Sequence, residues 1–397
     1  MSAAAGSRPF DRFIVIVLDS VGCGDAPDAA DFGDEGANTL GSVISGARPD
    51  LVHLRRLGLD RIPGVPSLGD DADVSPSASW GRLTERSGAK DTMTGHWELM
   101  GVVSAEPFPL YPEGFPIEVM ERFEQAIGRG TLGNVPASGT DIIRELGEEH
   151  RRSGKPIIYT SGDSVFQIAA HEETIPVEEL YAMCETARAQ LDGPHRVARV
   201  IARPFVGETP ESFERTPRRR DYALPPPAPT VLDILLDGGL RTYGVGKIHD
   251  IFAGRGLSDW VKTESNADGV EKTLAAMNGG CGELIFTNLV DFDSKYGHRR
   301  DVSGYAAALE DFDLALPLLL DATGERDCLM LTADHGNDPA FKGTDHTRER
   351  VPLLVASGCE PHDLGTRSSY ADLGRTVLDN FGLRTDAGES FLDEIRA

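Results

Sequence analysis

Three aspartates and two histidines stand past short apolar runs that lie far apart in the chain, and a third histidine follows closely in a fourth piece. Asp19 follows Ile14-Val15-Ile16-Val17-Leu18, and Asp293 and His298 follow Leu284-Ile285-Phe286. Asp334 and His335 follow Cys328-Leu329-Met330-Leu331, and His346 stands in Gly343-Thr344-Asp345-His346-Thr347. Apolar runs this short, bounded by Gly and Asp, read as buried strands of a parallel sheet. Side chains just past the ends of such strands line one common crevice. Gathered there without cations, acids and imidazoles form a repelling, unstable cluster. The pattern therefore points to a site for two divalent metals. Carboxylate and imidazole without thiolate suits Mn²⁺ or Zn²⁺ over Ca²⁺. Two such ions can clamp the attacking and leaving oxygens of an in-line displacement at phosphorus.

The densest polar stretch of the first half runs from Gly88 to Glu98 and holds Thr92 and Thr94 among glycines. Threonine at a loop-to-helix junction commonly serves as a cap. Facing the metal crevice, one hydroxyl can instead serve as nucleophile. A positioned general base contributes about 3–5 kcal/mol, whereas a divalent ion lowers the pKa of bound water by about 9 units, roughly 12 kcal/mol. A threonine alkoxide thus calls for a metal more than for a histidine. A second anomaly is the run of arginines Arg196, Arg199, Arg203, Arg215 and Arg218 to Arg220 in an acidic chain. Guanidinium forks at that density suggest an anion, with Arg218 to Arg220 also readable as a basic surface paired to acidic neighbours. Other signals fail: His171-Glu172-Glu173 lacks the second histidine of a zincin, and Gly244-Val245-Gly246-Lys247-Ile248 lacks the Walker spacing.

At 397 residues with a formal net charge of −25, the chain has length for two domains and a charge that repels nucleic acid. No run of about 18 apolar residues implies a membrane span, and Met1 to Arg8 has no apolar core like that of a secretory signal. The 5 cysteines are odd in number and irregularly spaced, as for reduced thiols in a cytoplasmic protein. Strand-and-helix alternation holds from Phe13 to Pro107, breaks at a Pro- and Gly-dense passage, and resumes from Val231, after Pro225-Pro226-Pro227. Metal-type residues lie on both flanks and not in the middle. The reading is a discontinuous metal-binding catalytic core over 12–107 and 225–397, interrupted by an inserted cap domain over 108–224. The middle section has its own strands around Ile157 to Thr160 and Val197 to Ile201, with helix from Val177 to Leu191.

Taken together, Leu18 to Gly22, Gly88 to Glu98, Asn288 to Asp293, Gly297 to Asp301, Thr332 to Pro339 and Gly343 to Glu349 resemble the bacterial phosphopentomutase family of the alkaline phosphatase superfamily. The likeness runs from about Phe13 to the C-terminus. It implies an α/β fold: an alkaline-phosphatase-like core with a mainly parallel sheet and an inserted smaller α/β cap. It further implies interconversion of the 1- and 5-phosphates of ribose and 2-deoxyribose through a phosphothreonine and a bisphosphate intermediate. Two Mn²⁺ ions are the implied cofactors, other divalent metals being possible, with a sugar bisphosphate as activator and small pentose phosphates as partners. No nucleic acid, membrane or protein partner is implied. By the same resemblance, one metal is held by Asp19, Asp334 and His335, the other by Asp293, His298 and His346. Thr92 matches the phosphorylated threonine. Asp163 matches a cap aspartate near the sugar, and Arg199, Arg215 and Lys247 match positions that hold the substrate phosphate. Spacing to His298 alone does not decide between Asp291 and Asp293.

Overall fold

Strand β1, Arg12–Leu18, is buried along its whole apolar length, as a central strand covered on both faces must be. The computed structural model in which it lies describes residues 8–69, 75–161 and 164–396. The chain divides into two compact units, one joining Met1–Glu106 to Pro226–Ala397 and the other spanning Pro107–Pro225. In chain order the further strands are β2 (Ser79–Leu83), then β3 (Leu132–Pro136), β4 (Ile157–Thr160), β5 (Val165–His171), β6 (Arg199–Val206), β7 (Glu214–Arg215) and β8 (Arg220–Ala223). They continue with β9 (Thr242–Val245), β10 (Asp259–Val261), β11 (Leu284–Leu289), β12 (Asp327–Thr332), β13 (Val351–Ala356) and β14 (Asp363–Arg367).

The larger unit is built on an α/β sheet of order β10-β9-β11-β1-β12-β13-β2-β14. From β10 through β12 every pairing is parallel. Leu18 stands level with Leu289, and Val17 with Thr332, so β1, β11 and β12 all end at one edge. Strand β13 runs the other way, antiparallel to both β12 and β2. That reversal is within the mainly parallel sheet expected from the sequence. It has a useful result, because β13 begins where β12 ends and β2 also ends there. Loops 19–25, 84–92, 290–301, 333–350 and the turn after β9 thus share one rim of the sheet. The core sheet is mainly parallel, as expected from the sequence.

The inserted unit has its own mixed sheet, β3-β4-β5-β6-β7, with β8 also paired to β6. Alternation along β4 sends Ile158 to one apolar cluster and Ile157 and Tyr159 to the other, so both faces of this sheet are covered. Helices Ile117–Ile127 and Val177–Gln190 serve the first cluster, and Gly139–Ser153 the second. Among the described residues no helix is long and apolar enough to cross a membrane.

Candidate metal centre

Asp19 and Asp334 leave the ends of β1 and β12 fully buried. Each has one carboxylate oxygen occupied by the protein. Asn288 Nδ2 donates to Asp19 Oδ2 at 2.8 Å, and the Ser20 N–H donates to Asp334 Oδ1 at 3.0 Å. Ser20 makes that bond from a left-handed backbone, φ 71°, a conformation that costs free energy and clusters at working sites. The other oxygens, Asp19 Oδ1 and Asp334 Oδ2, are buried with no hydrogen-bond partner among the described residues. His335 Nε2 lies 3.5 Å from each of them. His96 Nδ1 comes to 3.0 Å of Asp334 Oδ2, but its proton goes to the Thr92 carbonyl at 2.8 Å.

The second half of the cluster grows from a turn. After β11 the chain makes a π-helical turn, Phe292–Gly297, a rare geometry that often marks a functional site. It carries Asp293, buried, with His298 directly after it. His298 Nε2 is 3.3 Å from Asp293 Oδ2, and His346 Nε2 is 3.4 Å from Asp293 Oδ1. Asn337 Nδ2 donates to Asp293 Oδ1 at 2.7 Å. Asp291, by contrast, accepts from the Asn266 N–H and from Lys295, at 2.9 and 3.0 Å. Geometry therefore brings Asp293 into the cluster and leaves Asp291 as a brace for the neighbouring helix start.

The three imidazoles share one arrangement. Nδ1 of His298, His335 and His346 each faces a backbone carbonyl, that of Thr344, Gly336 and Lys90, at 2.9, 3.1 and 2.8 Å. A carbonyl only accepts, so Nδ1 must donate and Nε2 is left to face the cluster, the arrangement found for metal-binding histidine. Ligand atoms of Asp19, Asp334 and His335 lie within 4.8 Å of one another, as do those of Asp293, His335 and His346. His335 stands on the edge shared by both groups. His298 extends the second group, its Nε2 3.1 Å from that of His346. The orphaned carboxylate oxygens, the aimed Nε2 lone pairs and the thiolate-free donor set fit two divalent ions.

Electrostatics agree with a site built for positive charge. Burial, with Asp334 and Asp293 nearby, pushes the Asp19 carboxyl well above the usual range. Burial also pushes Asp293 upward, but His346 and His298 outweigh it and hold that carboxyl well down. His335 is lowered by burial.

Thr92 is the first residue of helix Thr92–Leu99, and its Oγ1 lies 3.2 Å from His335 Nε2. The cap of this helix is neither threonine: Asp91 accepts the N–H groups of Met93 and Thr94 at 3.0 and 3.1 Å. That leaves the Thr92 hydroxyl free to face the acids. The helix reaches this depth because of Gly95. A Cβ there would stand 2.1 Å from the Asp334 carbonyl oxygen, and rigid backbone cannot yield cheaply. Gly95→Ala is expected to cost about 3 kcal/mol and to displace Thr92. Urea unfolding checks the first effect and turnover the second, and wild-type values for both would refute it. Arg348 fastens the same loop from below, donating to Glu85 and Asp28 and to the Ala89 carbonyl.

Of the remaining residues named from the sequence, Lys247 follows β9 on the same rim, exposed, next to Gly246 (φ 81°). Its charge partly offsets the upward pressure on Asp19. Arg199 and Arg215 belong to the inserted unit. Arg199 Nη1 is 3.8 Å from Asp221 Oδ2, and Arg215 is exposed on β7. Asp163 lies outside the described residues. Of the basic trio, Arg218 pairs with Glu172 and Arg219 with Asp221. Arg220 departs from the expected acid pairing by stacking over Tyr181 and Tyr222. Sequence reasoning did not single out Asn288, Asn337, His96 or Ser20, although all four sit inside the segments that carried the chemistry.

A model of the metalloenzyme superfamily matches residues 11–385 of this chain. The phosphopentomutase of Caldanaerobacter subterraneus subsp. tengcongensis is 54% identical over 387 residues, covering 97% of this chain and 98% of its own. That of Deinococcus radiodurans is 53% identical over 390 residues, covering 97% and 100%. Among solved structures, Leishmania mexicana phosphoglycerate mutase aligns over 97% of this chain and 98% of its own, with 14% identity and a TM-score of 0.50. That last likeness is one of fold.

Proposed function

The chain belongs to the phosphopentomutase family, within the metalloenzyme superfamily, and from that premise we propose that it interconverts the 1- and 5-phosphates of ribose and 2-deoxyribose. It is an enzyme of the isomerase class. In this reading phosphorylated Thr92 is the working form. Its phosphoryl group passes to the free hydroxyl of a pentose monophosphate, breaking the bond to Oγ1 as the bond to the sugar oxygen forms. The resulting bisphosphate then returns its other phosphoryl group to Thr92. A sugar bisphosphate activator supplies the first phosphoryl group.

The observation that carries this reading is a lone hydroxyl, Thr92 Oγ1, held 3.2 Å from His335 where two ligand groups share an edge. Asp19, Asp334 and His335 would hold one ion, and Asp293, His298 and His346 the other. Manganese is the assigned metal. Bound there, two divalent ions supply charge neutralisation for the transferring phosphoryl group and a lowered pKa for the Thr92 hydroxyl. The chain's own work is alignment. Asp91 fixes the helix start that carries Thr92, and carbonyls fix each imidazole. Lys247, with Arg199 and Arg215 of the inserted unit, is assigned the substrate phosphate, for which forked and point cations are both suited. Asp163 is assigned the sugar on family likeness. Residues 108–224 are assigned the role of cap and the two flanks that of catalytic core. Free cysteines throughout fit a cytoplasmic enzyme.

Supplied with ribose 1-phosphate, manganese and a sugar bisphosphate, the protein is expected to form ribose 5-phosphate with little inorganic phosphate. Phosphate release as the main product would make it a hydrolase on the same scaffold and overturn the reading.

A further inference from the structure

Arg300 touches none of the six acid and imidazole groups, yet its side chain is spent entirely on the segments that orient three of them. Nε donates to the Gly343 carbonyl at 2.6 Å, and Nη2 to that of Asp345 at 3.0 Å. Nη1 is shared between the Asp338 carbonyl at 2.7 Å and Asn337 Oδ1 at 2.8 Å. The backbone is bent to allow this, with φ 55° at a residue that is not glycine, a conformation that persists only where its surroundings impose it.

All but the Asp338 contact lead to a ligand of the same ion. Arginine has no acceptor, so the amide atom facing it must be the oxygen of Asn337. The amide nitrogen is thereby turned toward Asp293, to which it donates at 2.7 Å. Gly297 admits this approach, since a Cβ there would lie 2.7 Å from Asn337 Nδ2. The Gly343 and Asp345 carbonyls bracket Thr344, whose own carbonyl fixes His298 Nδ1 at 2.9 Å. Asp345 in turn precedes His346. The other group is oriented by side chains and backbone that Arg300 does not bond: Asp19 by Asn288, Asp334 by the Ser20 N–H, and His335 by the Gly336 carbonyl, the nearest link being the Asn337 N–H on the Ser20 carbonyl at 3.2 Å.

We infer that Arg300 is a positioning residue that builds one cation site selectively, aligning Asp293, His298 and His346 while leaving Asp19, Asp334 and His335 unaffected. This rests on the two-metal reading above. The effect is on ligand geometry, for which loss of an orienting partner typically weakens metal binding about 10- to 100-fold.

The test is titration of the metal-free full chain with Mn²⁺ alone, counting bound ions by the disappearance of the free-ion spin resonance signal. The wild-type chain is expected to take up two ions. Arg300→Met should keep one at wild-type affinity and bind the other about 10- to 100-fold more weakly, with the spin–spin signature of a paired site lost at limiting manganese. Asn337→Ala, which leaves the three carbonyl contacts of Arg300 in place, should weaken the same single ion and serves if the arginine variant does not fold. Both variants taking up two ions at wild-type affinity, or a folded variant losing both together, would overturn the inference alone. A wild-type chain that binds fewer than two ions would overturn the two-metal reading and this inference with it.

Discussion

Thr92→Ala is expected to lose mutase turnover by at least about 10⁴-fold while still binding two manganese ions. Among the described residues the Thr92 side chain has one hydrogen-bond partner, His335. The cap of its helix is Asp91, and alanine suits a first helical position. His335 keeps its orientation from the Gly336 carbonyl, and His96 bonds to the backbone oxygen of residue 92, which alanine retains. The intact mass of the variant should show no added phosphate after exposure to a sugar bisphosphate, where the wild type gains one that maps to Thr92. Serine at the same position keeps a hydroxyl and should keep part of the activity. Substantial turnover by the alanine variant would sink the nucleophile assignment.

Removal of metal is expected to abolish activity altogether, and its return to depend on pH. In the ion-free protein, burial pulls His346 down, but Asp293 and Asp345 beside it raise it to about 10. His298 is raised as well, by its hydrogen bond to Asp293. His346 therefore carries a proton at neutral pH until a cation displaces it, and His298 holds its proton more firmly than a free imidazole does. Protons bound in the free state and absent from the loaded one make uptake release acid, so loading strengthens as pH rises. Each proton released adds up to about tenfold in apparent affinity per pH unit, or about 1.4 kcal/mol. Calorimetry in two buffers of different protonation enthalpy measures that number directly. Activity indifferent to a chelator, or manganese affinity flat from about pH 6 to about pH 8, would contradict the site as drawn.

Much of this was legible in the sequence because the signal is local. An apolar run closing on Asp marks a strand end wherever it occurs, as at Leu18-Asp19 and Thr332-Ala333-Asp334, and the middle section had its own run at Ile157 to Thr160. Direction was not legible: Val351-Pro352-Leu353-Leu354-Val355 reads the same forward or reversed, and only pairing with β12 and β2 shows β13 antiparallel. The choice between Asp291 and Asp293 turned on a π-helical turn, whose extra residue per turn rephases the side chains in a way no periodicity forecasts. The sequence leaves a capping role open for Thr92 and Thr94 beside the nucleophile reading, and only the structure gives that role to Asp91. The sharing of His335 between two ligand groups, and the grip of Arg300 on a loop some forty residues on, arise from close approach of distant segments. No spacing rule contains them.

β1 bears on how the enzyme is made. Both of its neighbours, β11 and β12, come from the last third of the chain, Phe13 pairing with Leu284 on one side and Cys328 on the other. During synthesis this strand, apolar from Phe13 onward, has neither partner until the segments that begin at Leu284 and Cys328 have been made. Long-range pairing of this kind is slow and exposes sticky edges in the interim. Nascent chains that stop short of β11 and β12 therefore carry an unsheltered hydrophobic ribbon and no complete centre, and catalytic competence waits on the segment that holds Asp334, His335 and His346.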